Sequence, residues 1–284
     1  MSRARTTVVI ATRNRRDVLL ATLDRIERLP ERPAVVVADN ASADGTAAAV
    51  RRHHPGAQLI ELERNIGAGA RNAAIRAAST PYVALCDDDS WWAPGALARA
   101  ERLLDSRPRL ALIAARVLVG PEERLDPTCA VMARSGLPGA DLPGPAVLGF
   151  IACGAVVRRS AFLEVGGFEE RLGIGGEEEL LALGLAQAGH QLAYVDAVVA
   201  HHHPALGRDP SERRRVELRN GIWAAWLRRR PASALIRTAR LLAPSARDPR
   251  AALGVIDALR GAGWVARNRR PLPVELDRSL RSLG

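Results

Sequence analysis

The chain contains no lysine, so its basic side chains other than histidine are all guanidinium groups. That bias reflects a GC-rich genome more than selection for bidentate phosphate contacts, and it identifies no ligand. Cysteine is scarce: Cys86, Cys129 and Cys153 are widely spaced and form no CxxC pair. This excludes a disulfide framework and a zinc signature and fits a reducing cytoplasm. Long apolar runs are also lacking. The arginines near the N-terminus precede only the short stretch Val8 to Ala11, and the longest charge-free window, Leu142 to Val157, is broken by Pro143 and Pro145. Neither a signal peptide nor a membrane span is expected.

What is present is enough apolar material, 48% of 284 residues, to bury a full α/β core. Short β-branched runs at Thr7–Ala11, Ala34–Ala38, Gln58–Leu62 and Tyr82–Cys86 alternate with helical spacing over 16–29, 46–54 and 69–78. Strands that are apolar throughout, alternating with helices, predict a mostly parallel sheet covered on both faces. Pro94 opens a further helix, Phe150 to Val157 returns to strand, Glu177 to Ala188 is helical and Leu192 to Ala200 is the last strand. Residues 120–148, rich in proline and glycine, are expected to be an irregular acceptor loop or lid.

Three of the early strands end in polar clusters: Thr12-Arg13-Asn14-Arg15, Asp39 to Thr46, and the triplet Asp87-Asp88-Asp89. In a parallel sheet these gather on one edge, where open α/β sheets bind ligands. Three adjacent carboxylates repel and need water or a cation to neutralise them. The segment Asn65-Ile66-Gly67-Ala68-Gly69-Ala70-Arg71-Asn72 has glycine spacing for a diphosphate at a helix N-terminus, but Asn72 breaks the dinucleotide fingerprint.

Taken in order and spacing, these motifs resemble family 2 glycosyltransferases of the GT-A fold over residues 5 to 205. The resemblance implies a Rossmann-like α/β domain (1–205) that moves a sugar, with inversion, from a nucleotide diphosphate sugar to an unknown hydroxyl acceptor. The acceptor class, a glycan, a lipid-linked molecule or a small molecule, stays open. Donor-binding residues implied are Thr12, Asn14, Asp39, Asn65, Gly67, Arg71, Asp87 and Asp88, with Asp39 and Arg71 at the base. A divalent Mn2+ or Mg2+ would be held by Asp87, Asp89 and His201. The family's catalytic carboxylate follows a Gly-Gly-Phe segment, here Gly166-Gly167-Phe168, and counting back from Gly189 puts Glu178 in the base position. This chain has Glu177-Glu178-Glu179 where the family usually has Glu-Asp, which keeps open a non-catalytic binder of sugar nucleotides or polyanions. Strand alternation sets His201 and His203 on one face and His202 on the other.

From Ala205 onward 18 arginines face 7 acids, a net of +11, whereas residues 1–204 sum to −1. This part, 206–284, is expected to be an arginine-rich helical extension with segments near 211–229, 232–242 and 250–261. Its stripe of Leu218, Ile222, Trp223 and Trp226 suits either an anionic membrane surface or packing on the core, and packing is favoured. No nucleic-acid motif accompanies the charge. The expected location is the cytoplasm, at the inner face of the membrane if the tail binds lipid.

Overall fold

The computed structural model describes residues 4–139, 141–204, 210–243 and 249–283. Among them, nine strands make one sheet: β1 (Thr6–Thr12), β2 (Ala34–Asp39), β3 (Gln58–Glu61), β4 (Tyr82–Asp87), β5 (Ser90–Trp92), β6 (Leu110–Val119), β7 (Arg124–Leu125), β8 (Ala155–Arg158) and β9 (Gln191–His202). The order is β3-β2-β1-β4-β8-β6-β9-β5, with β7 paired to β6. The first four strands are parallel; β8 runs antiparallel to both its neighbours, β9 is parallel to β6, and β5 is antiparallel to β9.

Alternation along each strand splits the core in two. Val8, Ile10 and Val37 face α1 (Arg16–Glu27), α2 (Thr46–His53) and α4 (Ala96–Asp105), through Leu19, Leu23, Ile26, Val50 and Leu97. Val9, Val36 and Ala38 face the other way, toward α3 (Ala70–Ala77), α6 (Arg159–Glu164) and α7 (Glu177–Gln187). Each large side chain buried in this manner contributes about 2 kcal/mol of transfer free energy. Helices cover both faces, as the apolar runs predict, but the sheet is mixed: β1 to β4 are parallel, and half of all the pairings are antiparallel.

The 120–148 segment is more ordered than expected. It contains β7 and α5 (Pro127–Ala133), whose start is set by Asp126 accepting the Thr128 N–H at 2.8 Å and by Pro127 in the first turn. Ala146 bridges both Leu137 and Ala193. The prolines mark helix and turn boundaries here rather than absence of structure.

The extension comprises α8 (Pro210–Arg228), α9 (Pro231–Leu242), α10 (Pro249–Arg260), α11 (Ala262–Asn268) and α12 (Val274–Ser282). Residues 205–209 and 244–248, which join these parts, lie outside the described residues, as does the side chain of Arg213. Trp223 and Leu227 pack with Ala258, Val265 and the core residue Leu172, while Ile222 and Trp226 lie against that cluster. The aromatic stripe of α8 is therefore interior, and a second cluster joins Leu272 and Leu280 to Leu148 and Leu183. Asn220, fully buried, donates its side-chain amide to the carbonyls of Leu172, Ile174 and Gly175 at 2.8, 3.0 and 2.6 Å. The extension thus grips the loop that leads into α7.

Candidate active site

The parallel register aligns Thr12 with Asp39 and Ala11 with Asp87, so the three strand ends do meet on one edge. There the chain turns sharply. Asn14 adopts a φ of 52°, its Oδ1 accepts the Ala43 N–H at 2.7 Å, and its own N–H donates to Ser42 Oγ at 2.9 Å, which ties the two loops together. Asp39 is buried and accepts the Ser42 N–H at 3.1 Å.

The triplet is neutralised in part by the chain's own arginines. Arg15 spans Asp88 and Asp89 at 3.0 and 2.8 Å, and Arg71 pairs with Asp87. Asp88 and Asp89 are buried, so water is not the agent that relieves their repulsion. Asp88 is anchored further: its carboxylate accepts the Thr12 hydroxyl at 2.9 Å and its carbonyl accepts the Thr22 hydroxyl at 2.8 Å. Burial pushes its carboxyl up to about 6, against the opposing pull of Arg15 and Thr12. Thr12 and Asp88, expected to touch the donor, are engaged with each other.

Arg71 is an interior cation rather than a surface one. It lies 5.9 Å above the Phe168 ring, and although burial works to lower its pKa, Asp87, Glu177 and Glu178 raise it. Glu178 Oε1 accepts the Ala152 N–H at 2.7 Å, and its Oε2 takes no hydrogen bond from a described residue. Burial first, and then the neighbouring Glu177 charge, push the Glu178 carboxyl up to about 7. Glu177 is also buried and raised by burial, with Oε2 unpartnered among the described residues.

The structure sets His202, not His201, beside the triplet. Alternation holds, because His201 stacks on Trp91 at 5.4 Å and His203 meets the same ring edge-on at 4.7 Å. But His201 pairs with Glu123 at 3.2 Å, while it is His202 whose Nε2 lies 3.3 Å from Asp89. The reason is β5, whose pairing sets Ser90 opposite His202 just past the triplet. Burial lowers the His202 pKa, yet the hydrogen bond and charge of Asp89 outweigh it and the net shift is upward. One donor atom each from Asp87, Cys153 and His202 lie within 4.8 Å of one another. Burial pushes the Cys153 thiol well above its ordinary value.

The Gly67 turn serves packing. Its φ is 59°, and a Cβ there would fall 2.5 Å from the Gly173 carbonyl oxygen, beside the Ala68 N–H bond to that same oxygen at 2.7 Å. Asn65 Oδ1 accepts the Gly67 N–H at 3.0 Å. Asn40 accepts the Ile66 N–H at 2.8 Å and donates to the Gly67 carbonyl at 2.9 Å. Sequence reasoning did not single out Asn40, Arg15, Cys153 or His202. Arg15 stood within a quoted motif, and His202 required the register of a three-residue strand.

The sequence profile of glycosyl transferase family 2 matches residues 7–166. The chain belongs to this family. Over 224 aligned residues, 64% of this chain and 71% of the relative, it is 29% identical to the N-acetylglucosaminyl-diphospho-decaprenol L-rhamnosyltransferase of Mycobacterium tuberculosis. The mannosyltransferase PcManGT from Pyrobaculum calidifontis, solved in complex with GDP-Man and Mn2+, superposes with a TM-score of 0.64 at 24% identity, covering 94% of this chain and 85% of that one. S. aureus TarS 1-349 in complex with UDP-GlcNAc gives 0.61 at 15% identity, covering 93% and 81%. These similarities establish the GT-A fold, and family membership makes this family 2 chain a glycosyltransferase.

Proposed function

We propose that the chain is an inverting glycosyltransferase that uses a nucleoside diphosphate sugar, with Glu178 as general base. The carrying observation is the position of Glu178: a half-buried carboxylate, raised to about 7 and held through one oxygen by Ala152, in the electrostatic field of Asp87 and Arg71. A base with that pKa takes a proton readily near neutrality. The acceptor hydroxyl gives its proton to Glu178 Oε2 while its oxygen bonds to the anomeric carbon. The bond from that carbon to the phosphate oxygen breaks, and the nucleoside diphosphate leaves. Asp39 serves the base of the donor, and Asn14 orders the loop beside it.

The residues fit a divalent cation. Asp87 and His202, whose donor atoms lie within 4.8 Å of each other, and Asp89, 3.3 Å from His202, would supply carboxylate oxygens and an imidazole nitrogen, hard and borderline donors suited to manganese or magnesium. When bound, such an ion neutralises the diphosphate charge. On the protein side, His202 would offer Nε2, and Arg15 and Arg71 pair with Asp89 and Asp87 and so fix the two carboxylates in place.

The acceptor proposed is lipid-linked, on the strength of the mycobacterial relative's name, and the place of action is the cytoplasmic face of a membrane. Among the described residues no helix is long and apolar enough to cross one. Peripheral contact with anionic lipid is supported by α9 and α10, which both pack on α8. They leave Leu235, Ile236, Leu253, Ile256 and Leu259 exposed on a part of the chain with an arginine excess.

The test is Glu178→Gln. Turnover should fall by about two orders of magnitude or more, the scale of general-base removal, with donor affinity retained. Wild-type turnover in this variant would remove Glu178 from the mechanism.

A further inference from the structure

A cavity of 810 Å³ lies between the transferase core and the extension; of the residues implied for the donor, the metal and the base, Asn65 alone lines it, and Asp39, Asp87, Asp88, Asp89 and Glu178 do not. Its walls carry five arginines: Arg64 and Arg76 from around α3, Arg171 from the loop before α7, Arg228 at the end of α8, and Arg270 beyond α11. None of the five pairs with a carboxylate among the described residues, although the chain forms such pairs freely elsewhere. Glu169 and Glu170 also line the cavity, but Glu169 is spent on the Arg171 backbone N–H at 3.1 Å.

Arg228 is the most informative of the group. Its Nε is buried and has no hydrogen-bond partner among the described residues. Burial, and then the like charge of Arg270, both work against its protonated form. Two guanidinium groups close enough to repel, one of them half-buried, are costly unless an anion sits between them. Arg171 lies 5.3 Å over the Trp264 ring, which holds a third guanidinium at the same mouth. A cluster of forked donors without acceptors suits the several oxygens of a phosphate group. The volume is in the range of small-molecule sites.

We propose that this cleft is a binding site for a phosphate or diphosphate group, separate from the donor site. It goes beyond the donor reading and does not depend on it. The phosphate belongs either to a soluble molecule or to a lipid headgroup, and the chemistry of recognition is the same.

The test is calorimetry of the full chain with inorganic pyrophosphate, in chelator and phosphate-free buffer, on the wild type, Arg270→Gln and Arg64→Gln. Arg270 and Arg64 are exposed, so these variants fold. Saturable binding is expected, weakened about tenfold in Arg270→Gln, the loss of one charge-assisted contact. Manganese-dependent affinity for a nucleoside diphosphate should be unchanged in both variants, which separates this site from the donor site. Absence of saturable pyrophosphate binding, or equal affinity in all three proteins, would each overturn the proposal. Sedimentation with phosphatidylcholine vesicles containing phosphatidic acid distinguishes the sources. Pelleting that pyrophosphate competes away and Arg270→Gln weakens indicates a lipid phosphate. Pyrophosphate binding with pelleting unaffected indicates a soluble one.

Discussion

Glu178→Gln should make the protein more stable at alkaline pH while disabling it. The carboxyl is raised from 4.5 to about 7 in the folded chain, chiefly by burial. A carboxyl that holds its proton more tightly when folded favours the native state at low pH. That advantage is lost as pH rises from the unfolded pKa through the folded one. A shift of roughly 2.5 units corresponds to about 3 kcal/mol, most of it accruing between about pH 5 and pH 8. Glutamine does not ionise, and its side-chain oxygen can still accept the Ala152 N–H. The wild type and variant should therefore differ little in urea unfolding near pH 5, and the variant should lead by about 2 to 3 kcal/mol near pH 8. Comparing the two proteins cancels the titration of Asp88, which is also raised by burial. Parallel stability profiles across this range would show that Glu178 is solvated and that the reasoning from burial is wrong.

Asn220→Ala should cost about 2 kcal/mol or more in unfolding free energy, because three carbonyls of the 172–175 loop lose their donor. Turnover should fall with it, since that loop sets the start of α7; intact turnover would mean the loop holds itself. The full chain should sediment with anionic vesicles and less so in high salt, and Leu253→Ser with Ile256→Ser should reduce binding while thermal stability is unchanged. Equal sedimentation of this double variant would exclude the α10 face as the contact.

The strand ends were legible because β-branched runs followed by polar clusters report both the strand and its direction. Thr12 pairs with Asp39, and Ala11 beside it with Asp87, for that reason. Partnerships across the site were not legible. That Arg15 bridges two of the three aspartates, or that Arg71 turns inward to Asp87, depends on side chains meeting across separate loops. The choice between His201 and His202 turned on β5, too short at Ser90–Trp92 to announce itself by periodicity. The α8 stripe had two readings that sequence alone could not separate, since a helix buries an apolar face against protein or lipid with the same pattern. Trp223, packed against Ala258 and Leu172, decides for protein. Leu235, Ile236, Leu253, Ile256 and Leu259 are exposed on α9 and α10, where the sequence reading placed no stripe.

The account is tested most directly by calorimetry of uridine, guanosine and thymidine diphosphate sugars against the full chain, in manganese and in chelator. At least one donor should bind, more tightly with manganese, and Asp89→Ala should remove most of the difference. Equal affinity with and without the metal, or no binding by any of these donors, would contradict it.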